Sequence, residues 1–166
     1  STVLREAPIH AHRGPGSGSA YIFTSSDGVW EQTAMLSADD SAPEAYSGSQ
    51  VVIDGNRAVI GAPGDHRIDA SGAGYVFTMQ NGSWQQTGKV VATEPEAQNS
   101  LGSSVAISGE VAVLGAFHDD DAQVGGCGDD ECNSGAAYLF DLLNPICTDD
   151  GAWVCIEAAA GPLCDQ

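Results

Sequence analysis

Basic side chains are scarce in this sequence. Its 166 residues include 23 Asp and Glu side chains but only five Lys and Arg, so the formal net charge is −18 at pH 7. Proteins that bind nucleic acid or anionic membranes need a basic surface, and the composition therefore excludes both as partners. The charge fits the binding of cations or basic proteins, and it equally fits a surface that is acidic only for solubility.

Long apolar runs and helical patterns are also missing. The sequence contains no run of 18 apolar residues, the length that a transmembrane helix needs, so we predict no membrane insertion. No window places apolar residues at i, i+3, i+4 and i+7 over three turns. The sequence therefore predicts an all-β fold.

The motifs of common catalytic sites are absent as well. The chain has no G-x-S-x-G, no H-E-x-x-H and no P-loop. His66 beside Asp65 and His118 beside Asp119 are the best acid–base candidates, but neighbouring His and Asp residues are common in solvated loops. We therefore predict no catalytic residue and no enzyme, with a hydrolase or lyase as a remote alternative.

No cysteine precedes Cys127. The five cysteines from there onward indicate an oxidising compartment. We predict a disulfide between Cys127 and Cys132, which would close a small loop. The other three leave one pair and one odd thiol, with the pairing open: Cys147, Cys155 and Cys164.

A glycosylation sequon is present at Asn81-Gly82-Ser83. It lies on a predicted hairpin turn, so we expect Asn81 to be exposed, and to be modified only in a eukaryotic secretory pathway. Together with the cysteines, the sequon predicts a secreted protein that is extracellular or at the cell surface.

One phrase occurs three times, as "SGSAYIF" (17–23), "SGAGYVF" (71–77) and "SGAAYLF" (134–140). Tyr75 follows Tyr21 by 54 positions, and the third tyrosine follows Tyr75 by 63. The nine extra residues fall in the cysteine-bearing stretch around "GGCGDDEC". A fixed period of this length is typical of a repeat architecture.

The middle copy shows what one unit contains. "SQVVI" (49–53) and "RAVIGAP" (57–63) are short strands joined by a DGN turn. "GAGYVFTM" (72–79) and "WQQTGKVVA" (84–92) are two more, joined by NGS. Four short antiparallel strands at this period predict a blade of a β-propeller, in which the small residues let neighbouring backbones approach.

The chain is long enough for about 2.75 blades. We predict an incomplete first blade with strands two to four (1–46), a second blade (47–100), and a third blade with a Cys-rich insertion and a tail (101–166). "CIEAAAG" (155–161) is the expected fourth strand of the third blade. We expect three tryptophans, one in each blade, to have equivalent packing positions: Trp30, Trp84 and Trp153.

The middle unit resembles the FG-GAP repeat of integrin α-chain propellers. It has a glycine and a strand, then the intact "GAP" at Gly61, Ala62 and Pro63, and then the Gly-rich "YVF" strand. The resemblance covers roughly residues 2–142. It implies an extracellular binding or adhesion module whose ligand face carries the loops between blades and between strands two and three. The family's calcium loop is absent here, because the turns at 53–57 and 107–111 are too short to wrap an ion.

The loops assigned to that face are strongly acidic. Thirteen of the 23 acidic residues fall in them: Asp39, Asp40, Glu44, Asp65, Asp69, Glu94, Glu96, Asp119, Asp120, Asp121, Asp129, Asp130 and Glu131. Since a cation relieves repulsion between clustered carboxylates, five of them predict weak Ca²⁺ binding, although no cofactor is required: Asp65, Asp69, Asp119, Asp120 and Asp121. A solvated acidic surface is an equal alternative.

Fewer than three blades do not close a ring. We therefore expect a protein partner, or self-association through the open blade edges. The alternative to an adhesion module is a structural subunit of an extracellular assembly, in which blades pack between chains as a ring or a filament.

Overall fold

The structure, a computed structural model, describes residues 1–7, 14–65, 71–92, 99–119, 135–142, 146–147, 153–154 and 157–158. Every regular element in those ranges is a β-strand. In chain order they are β1 (Thr2–Ala7), β2 (Ser19–Ser26), β3 (Val29–Leu36), β4 (Gln50–Asp54), β5 (Arg57–Ala62), β6 (Ala73–Gln80), β7 (Ser83–Val91), β8 (Leu101–Ser108), β9 (Val111–Ala116), β10 (Ala136–Asp141), β11 (Ile146–Cys147), β12 (Trp153–Val154) and β13 (Glu157–Ala158).

The strands form three antiparallel blades, which confirms the predicted all-β, blade-type fold. The first blade has three strands in the order β1, β2, β3. The second has β4 to β7 in chain order, and the third has β8, β9, β10 and β13. Among the described residues β1 pairs with β2 alone, whereas β5 and β9 also pair with β4 and β8.

The last strands depart from the prediction. β11 pairs with β12, and β12 runs parallel to β7, so this segment extends the sheet of the second blade. Trp153 lies opposite Val90, and the expectation that it repeats the position of Trp30 and Trp84 is wrong. Those two follow two-residue turns that return the chain to the same blade, whereas β10 is followed by β11 and β12, which both belong to the neighbouring sheet.

Two hairpin turns show why the strands reverse where they do. Asn81 and Gly82 have φ angles of 51° and 82°, and they join Gln80 to its partner Ser83. Asp27 and Gly28 occupy the same place in the first blade, with φ angles of 52° and 82°. Two consecutive positive φ values produce the turn whose twist matches that of the paired strands, and Asn-Gly and Asp-Gly adopt it readily.

The core lies between the blades. One buried cluster joins the first and second blades, with Ile22 and Leu36 packed against Ile60, Tyr75 and Phe77. A second cluster joins the second and third blades, and its largest members are Leu101, Leu114, Tyr138, Phe140 and Leu142, together with Val59, Val76 and Val90. Because successive residues of a strand point to opposite faces, the repeated "YVF" strand supplies side chains to both clusters.

Close backbone contacts join neighbouring blades, between the start of the third strand of one blade and the start of the first strand of the next. Gly18 forms a parallel bridge with Ser47, and Gly72 forms the equivalent bridge with Leu101, 54 positions later. A Cβ atom on Gly18 would lie 2.0 Å from the carbonyl oxygen of Ser47, and one on Gly72 would lie 2.4 Å from that of Leu101. No side chain fits at these distances, which explains why the repeated phrase begins with Ser-Gly.

Candidate functional site

The loop between the first two blades lies against loops from both of them. The amide of Glu44 donates to the carbonyl of Pro15 at 2.8 Å, and the amide of Gly64 donates to the carbonyl of Ala45 at 3.2 Å. Pro15 precedes β2 and Gly64 follows β5, so both partners belong to connections between the second and third strands of a blade. Residues 37–49 therefore form one continuous surface with the described parts of these two connections, residues 14–18 and 63–65.

An ion-pair cluster lies beneath this surface. The Lys89 ammonium is 2.6 Å from Oδ2 of Asp65 and 3.1 Å from Oδ2 of Asp40. Asp65 is only 2% exposed, and the Lys89 side chain is 14% exposed. The burial of a charge is strongly unfavourable unless an opposite charge compensates it, so Lys89 is what allows Asp65 to be buried as an anion.

Tyr75 completes the cluster. Its hydroxyl donates to Oδ2 of Asp65 at 2.8 Å, and the Lys89 ammonium lies 5.3 Å from the centre of its ring. Burial of the phenol, and then the negative charges of Asp65 and Asp40, raise the pKa of Tyr75 far above its ordinary value. Tyr75 therefore stays protonated and acts as a hydrogen-bond donor.

The third blade repeats the carboxylate–phenol pair without the lysine. The Tyr138 hydroxyl donates to Oδ2 of Asp119, which is 5% exposed. Lys89 lies opposite Tyr75 in the second blade, whereas Ala158 lies opposite Tyr138 in the third. In the first blade, Met35 has the corresponding place opposite Tyr21. The lysine is thus specific to the second blade.

At the opposite end of the blades, two hairpin turns are hydrogen-bonded to each other. Asp54 Oδ2 accepts a hydrogen bond from the amide of Gly109 at 2.7 Å, and Arg57 donates to the carbonyl of Gly109 at 3.2 Å. Asp54 and Arg57 flank the turn between β4 and β5, and Gly109 lies in the turn between β8 and β9. These contacts lie at the turn end of the second and third blades, away from the loop surface.

The predicted site residues fall partly within the described ranges. Asp65 and Asp119 are buried, each bonded to a tyrosine, whereas Asp69, Asp120 and Asp121 lie outside the described residues. No group of three potential metal ligands occurs in the part of the chain that the structure describes. Ca²⁺ binding by these five residues stays a prediction.

The cysteine predictions also lie mostly outside the described ranges. This holds for Cys127, Cys132, Cys155 and Cys164. Cys147 is in β11, where the backbone alone is described. Asn81 is exposed on its two-residue turn, as expected for a sequon.

His118 contacts the ring of its neighbour Phe117. Its ring centre is 3.8 Å from that of Phe117, at 49°, and its backbone amide donates to the carbonyl of Asn99 at 3.4 Å. His66 lies outside the described residues. The tryptophans differ from one another, since Trp84 packs partly against the cluster of the first two blades while Trp30 is 46% exposed.

Lys89 is the residue that sequence reasoning missed. A signal was present, because it is the only lysine of the chain and the repeat alignment places it in the strand that pairs with the "YVF" strand. The Asp–Tyr pairs carried a signal too, since Asp119 follows Asp65 by the 54 residues of the period. Sequence reasoning placed both aspartates on the surface, whereas the structure buries them.

The three sheets and their repeated contacts define a repeat protein built from blades of the β-propeller type. The FG-GAP repeat family model matches residues 30–77 and 84–140, which together are more than half of the chain, and the chain therefore belongs to the FG-GAP repeat family. A comparison with curated proteins finds no significant match. Repeats of this family are generally non-catalytic and are typical of extracellular or cell-surface proteins. Within the described ranges, no helix is long and apolar enough to cross a membrane.

Proposed function

We propose that this protein is an extracellular binding and adhesion module that acts through its acidic loops and performs no catalysis. The observation that carries the proposal is the continuous surface formed by residues 37–49 and the two loops beside them. Asp39 and Glu44 are exposed on it, above the ion-pair cluster of Lys89, the buried Asp65 and the partly exposed Asp40. The ion pairs of Lys89 join the loops, and Asp39 and Glu44 place negative charge on the exposed surface.

The chemistry of this surface favours a cationic protein ligand. The chain carries 23 acidic residues against five basic ones, and among the described residues the basic side chain that contacts this loop surface is Lys89, which pairs with two carboxylates. Complementary charge accelerates encounter and selects partners. We therefore expect a basic peptide or protein segment to bind here, with an affinity that falls as salt increases.

A labelled oligolysine peptide tests the surface. Asp39→Asn combined with Glu44→Gln should weaken binding about fivefold, as expected for two exposed charges. The matched control is Asp27→Asn with Glu110→Gln, which removes the same charge from exposed hairpin turns at the opposite end and should leave the affinity nearly unchanged. Equal losses in both variants would mean that only total charge matters, and would overturn the proposal.

Weak Ca²⁺ binding by the loops is a separate proposal. Its predicted ligands are Asp65, Asp69, Asp119, Asp120 and Asp121. Lys89 already neutralises Asp65, so the other aspartates would contribute most of the binding. Calorimetry with millimolar CaCl₂ measures it, and no heat of binding would remove it.

We also propose that the protein is secreted, which predicts two covalent modifications that can be measured: a disulfide and a glycan. A disulfide between Cys127 and Cys132 would appear in non-reducing mass spectrometry of peptides, and two free thiols there would contradict it. Production in a eukaryotic secretory host should add a glycan at Asn81, and Ser83→Ala should abolish it.

A structural subunit is the second candidate function. Leu139 is 41% exposed on the third blade, although Val76 at the same place in the second blade is 1% exposed. The third blade therefore exposes an apolar side chain at a position that packs between blades in the second. Light scattering should show concentration-dependent association that Leu139→Ser weakens and Val29→Ser, on an exposed hairpin, does not. A monomer at all concentrations would exclude this function.

A further inference from the structure

A primary amine and a carboxyl group, the two groups that condense to an amide, are in contact inside the second blade. The Lys89 nitrogen lies 2.6 Å from Oδ2 of Asp65, and Cγ, the carbon that an amine would attack, is bonded directly to that oxygen. Lys89 is fixed on β7 opposite Tyr75 of β6. The backbone amide of Asp65 donates to the carbonyl of Ala62 at 3.1 Å. Two paired strands and a turn therefore hold the amine against the carboxyl group.

Two further side chains contact these atoms. The Tyr75 hydroxyl donates to Oδ2 of Asp65 at 2.8 Å, and such a donor stabilises the negative charge that develops on a carboxyl oxygen when a nucleophile adds to its carbon. Oδ2 of Asp40 is 3.1 Å from the Lys89 nitrogen, within the distance for proton transfer. The Asp40 side chain is 35% exposed, so a released water molecule has a route to solvent.

Burial favours an amide over the ion pair at this place. Asp65 is 2% exposed and Lys89 is 14% exposed, so both charges are largely withdrawn from the water that would stabilise them. A neutral amide has no such cost. Contact between the two groups also makes their reaction intramolecular, which in well-oriented systems corresponds to an effective concentration of about 10⁵ M or more.

We propose that Lys89 and Asp65 condense to an intramolecular isopeptide bond, with Asp40 moving the protons and Tyr75 stabilising the charge. Asp40 takes one proton from the ammonium and passes it to Oδ1 of Asp65, and the amine nitrogen then adds to Cγ. The electron pair of the C=O bond moves to Oδ2, where the Tyr75 hydroxyl donates. A second proton passes from the nitrogen to Oδ1 through Asp40. The Cγ–Oδ1 bond then breaks, its electron pair leaves with water, and the carbonyl re-forms at Oδ2.

The reaction needs no other reactant. Of the three protons on the ammonium, two leave in the water and one stays on the amide nitrogen, while one carboxyl oxygen stays and one leaves. No oxidant or reductant takes part, and Asp40 ends in the state in which it began. Each chain reacts once, on itself, so the bond is a modification and not an enzymatic activity.

The other two blades lack the amine. Tyr138 donates to Asp119 in the third blade, but Ala158 lies opposite this tyrosine, and Met35 has the corresponding place in the first blade. The cross-link is therefore confined to the second blade, where it joins the loop after β5 to β7. It needs no ligand, so its failure and that of the proposed function are separate results.

Mass spectrometry of the full chain tests the cross-link. After a week at neutral pH, the protein should be lighter than its sequence requires by the mass of one water molecule. Lys89 is the only lysine of the chain, so trypsin should fail to cleave after it once the protein is denatured and reduced. The peptide 58–67, which contains Asp65, should then stay joined to residues 68–166.

Three variants identify the groups that react. Lys89→Arg keeps the positive charge but removes the amine, so this protein should keep its full mass. Asp40→Asn should lose water roughly a hundredfold more slowly, at the lower end of what general acid–base catalysis contributes. Asp39→Asn is the matched control, because it removes the same charge from the exposed neighbouring residue and should leave the rate unchanged.

A wild-type protein that keeps its full mass and is cleaved after Lys89 would overturn the proposal and leave an ordinary ion pair. Loss of water with cleavage after Lys89 intact would also overturn it, because an aspartate that precedes glycine, such as Asp54 before Gly55, can lose water to its own backbone as a succinimide. Equal rates for Asp40→Asn and Asp39→Asn would overturn the role of Asp40 in moving the protons.

Discussion

The ammonium of Lys89 lies 2.6 Å from the carboxylate of Asp65, at a place where the first blade has Met35 and the third has Ala158. One buried ion pair thus distinguishes the middle blade from its neighbours. It joins β7 to the loop after β5, and through Asp40 it also joins the second blade to the loop that enters it.

Replacing this lysine should strongly destabilise the fold. Lys89→Met, which introduces the residue of the first blade, leaves Asp65 buried without its cation. Breaking a buried pair in this way costs about 3–5 kcal/mol, and urea unfolding followed by tryptophan fluorescence measures it.

The double variant Lys89→Met with Asp65→Asn is the control. It removes the charge that was left uncompensated, so it should recover a large part of the lost unfolding free energy. A loss below about 1 kcal/mol for Lys89→Met alone, the range of an exposed pair, would show that the pair is solvated.

The contacts between blades predict unequal effects for two equivalent glycines. Gly72 and Gly135 begin the same phrase, with φ angles of 83° and 71°. A Cβ on Gly72 would lie 2.4 Å from the Leu101 carbonyl oxygen, but one on Gly135 would meet nothing closer than 3.7 Å. Both alanine variants lose roughly 1–2 kcal/mol to the left-handed backbone, and Gly72→Ala should lose several more.

Thermal unfolding of the two variants checks this difference. Gly82→Ala, at a turn with φ of 82° and open space around it, gives a second reference for the backbone contribution alone. Equal melting temperatures for Gly72→Ala and Gly135→Ala would contradict the close approach of the blades.

Tyr75 should make the protein sensitive to alkaline pH. Its pKa is raised in the folded state, so the folded protein keeps a proton that the unfolded chain releases near pH 10. Below that pH the contribution to stability is complete, and above it the unfolding free energy should fall by up to about 1.4 kcal/mol per pH unit.

Tyr75→Phe isolates this contribution, since it should reduce the slope of unfolding free energy between pH 10 and 11. If the slopes of the two proteins agree, Tyr75 is not the group responsible.

The turn contact between the second and third blades should contribute modestly. Asp54→Ala removes the acceptor for the Gly109 amide, and its loss is expected to be about 0.5–1.5 kcal/mol. Ser108→Ala changes the equivalent position of the third blade, just before the turn between β8 and β9, and should cost less. Urea unfolding measures the loss in each variant. A larger loss for Ser108→Ala than for Asp54→Ala would mean that the contact between the two turns does not contribute to stability.

Much of the blade plan could be predicted because its signals are local. Asn81-Gly82 identifies a hairpin, and the repeated "YVF" phrase identifies a strand whose neighbours lie at a constant period. The position of Trp153 could not be predicted in the same way, because it lies in a strand of two residues, which is too short to carry a pattern of its own. Its partner Val90 lies in another blade, and no local pattern encodes that choice.

The buried charges were hidden for a related reason. Asp65 follows "GAP" at the start of a loop, and an acidic residue in a loop normally indicates solvent. Its burial depends on Lys89, 24 residues later, and on Tyr75. Such a cluster is visible only when three separate segments have been placed against one another.

The bridges Gly18–Ser47 and Gly72–Leu101 also bear on how such a chain can grow. Both positions of the first pair are repeated 54 residues later in the second pair. An in-frame duplication of one period at the level of the gene would therefore supply a new blade together with the glycine on which its neighbour rests. Lengthening the array needs no newly invented interface, only another copy of one that already fits.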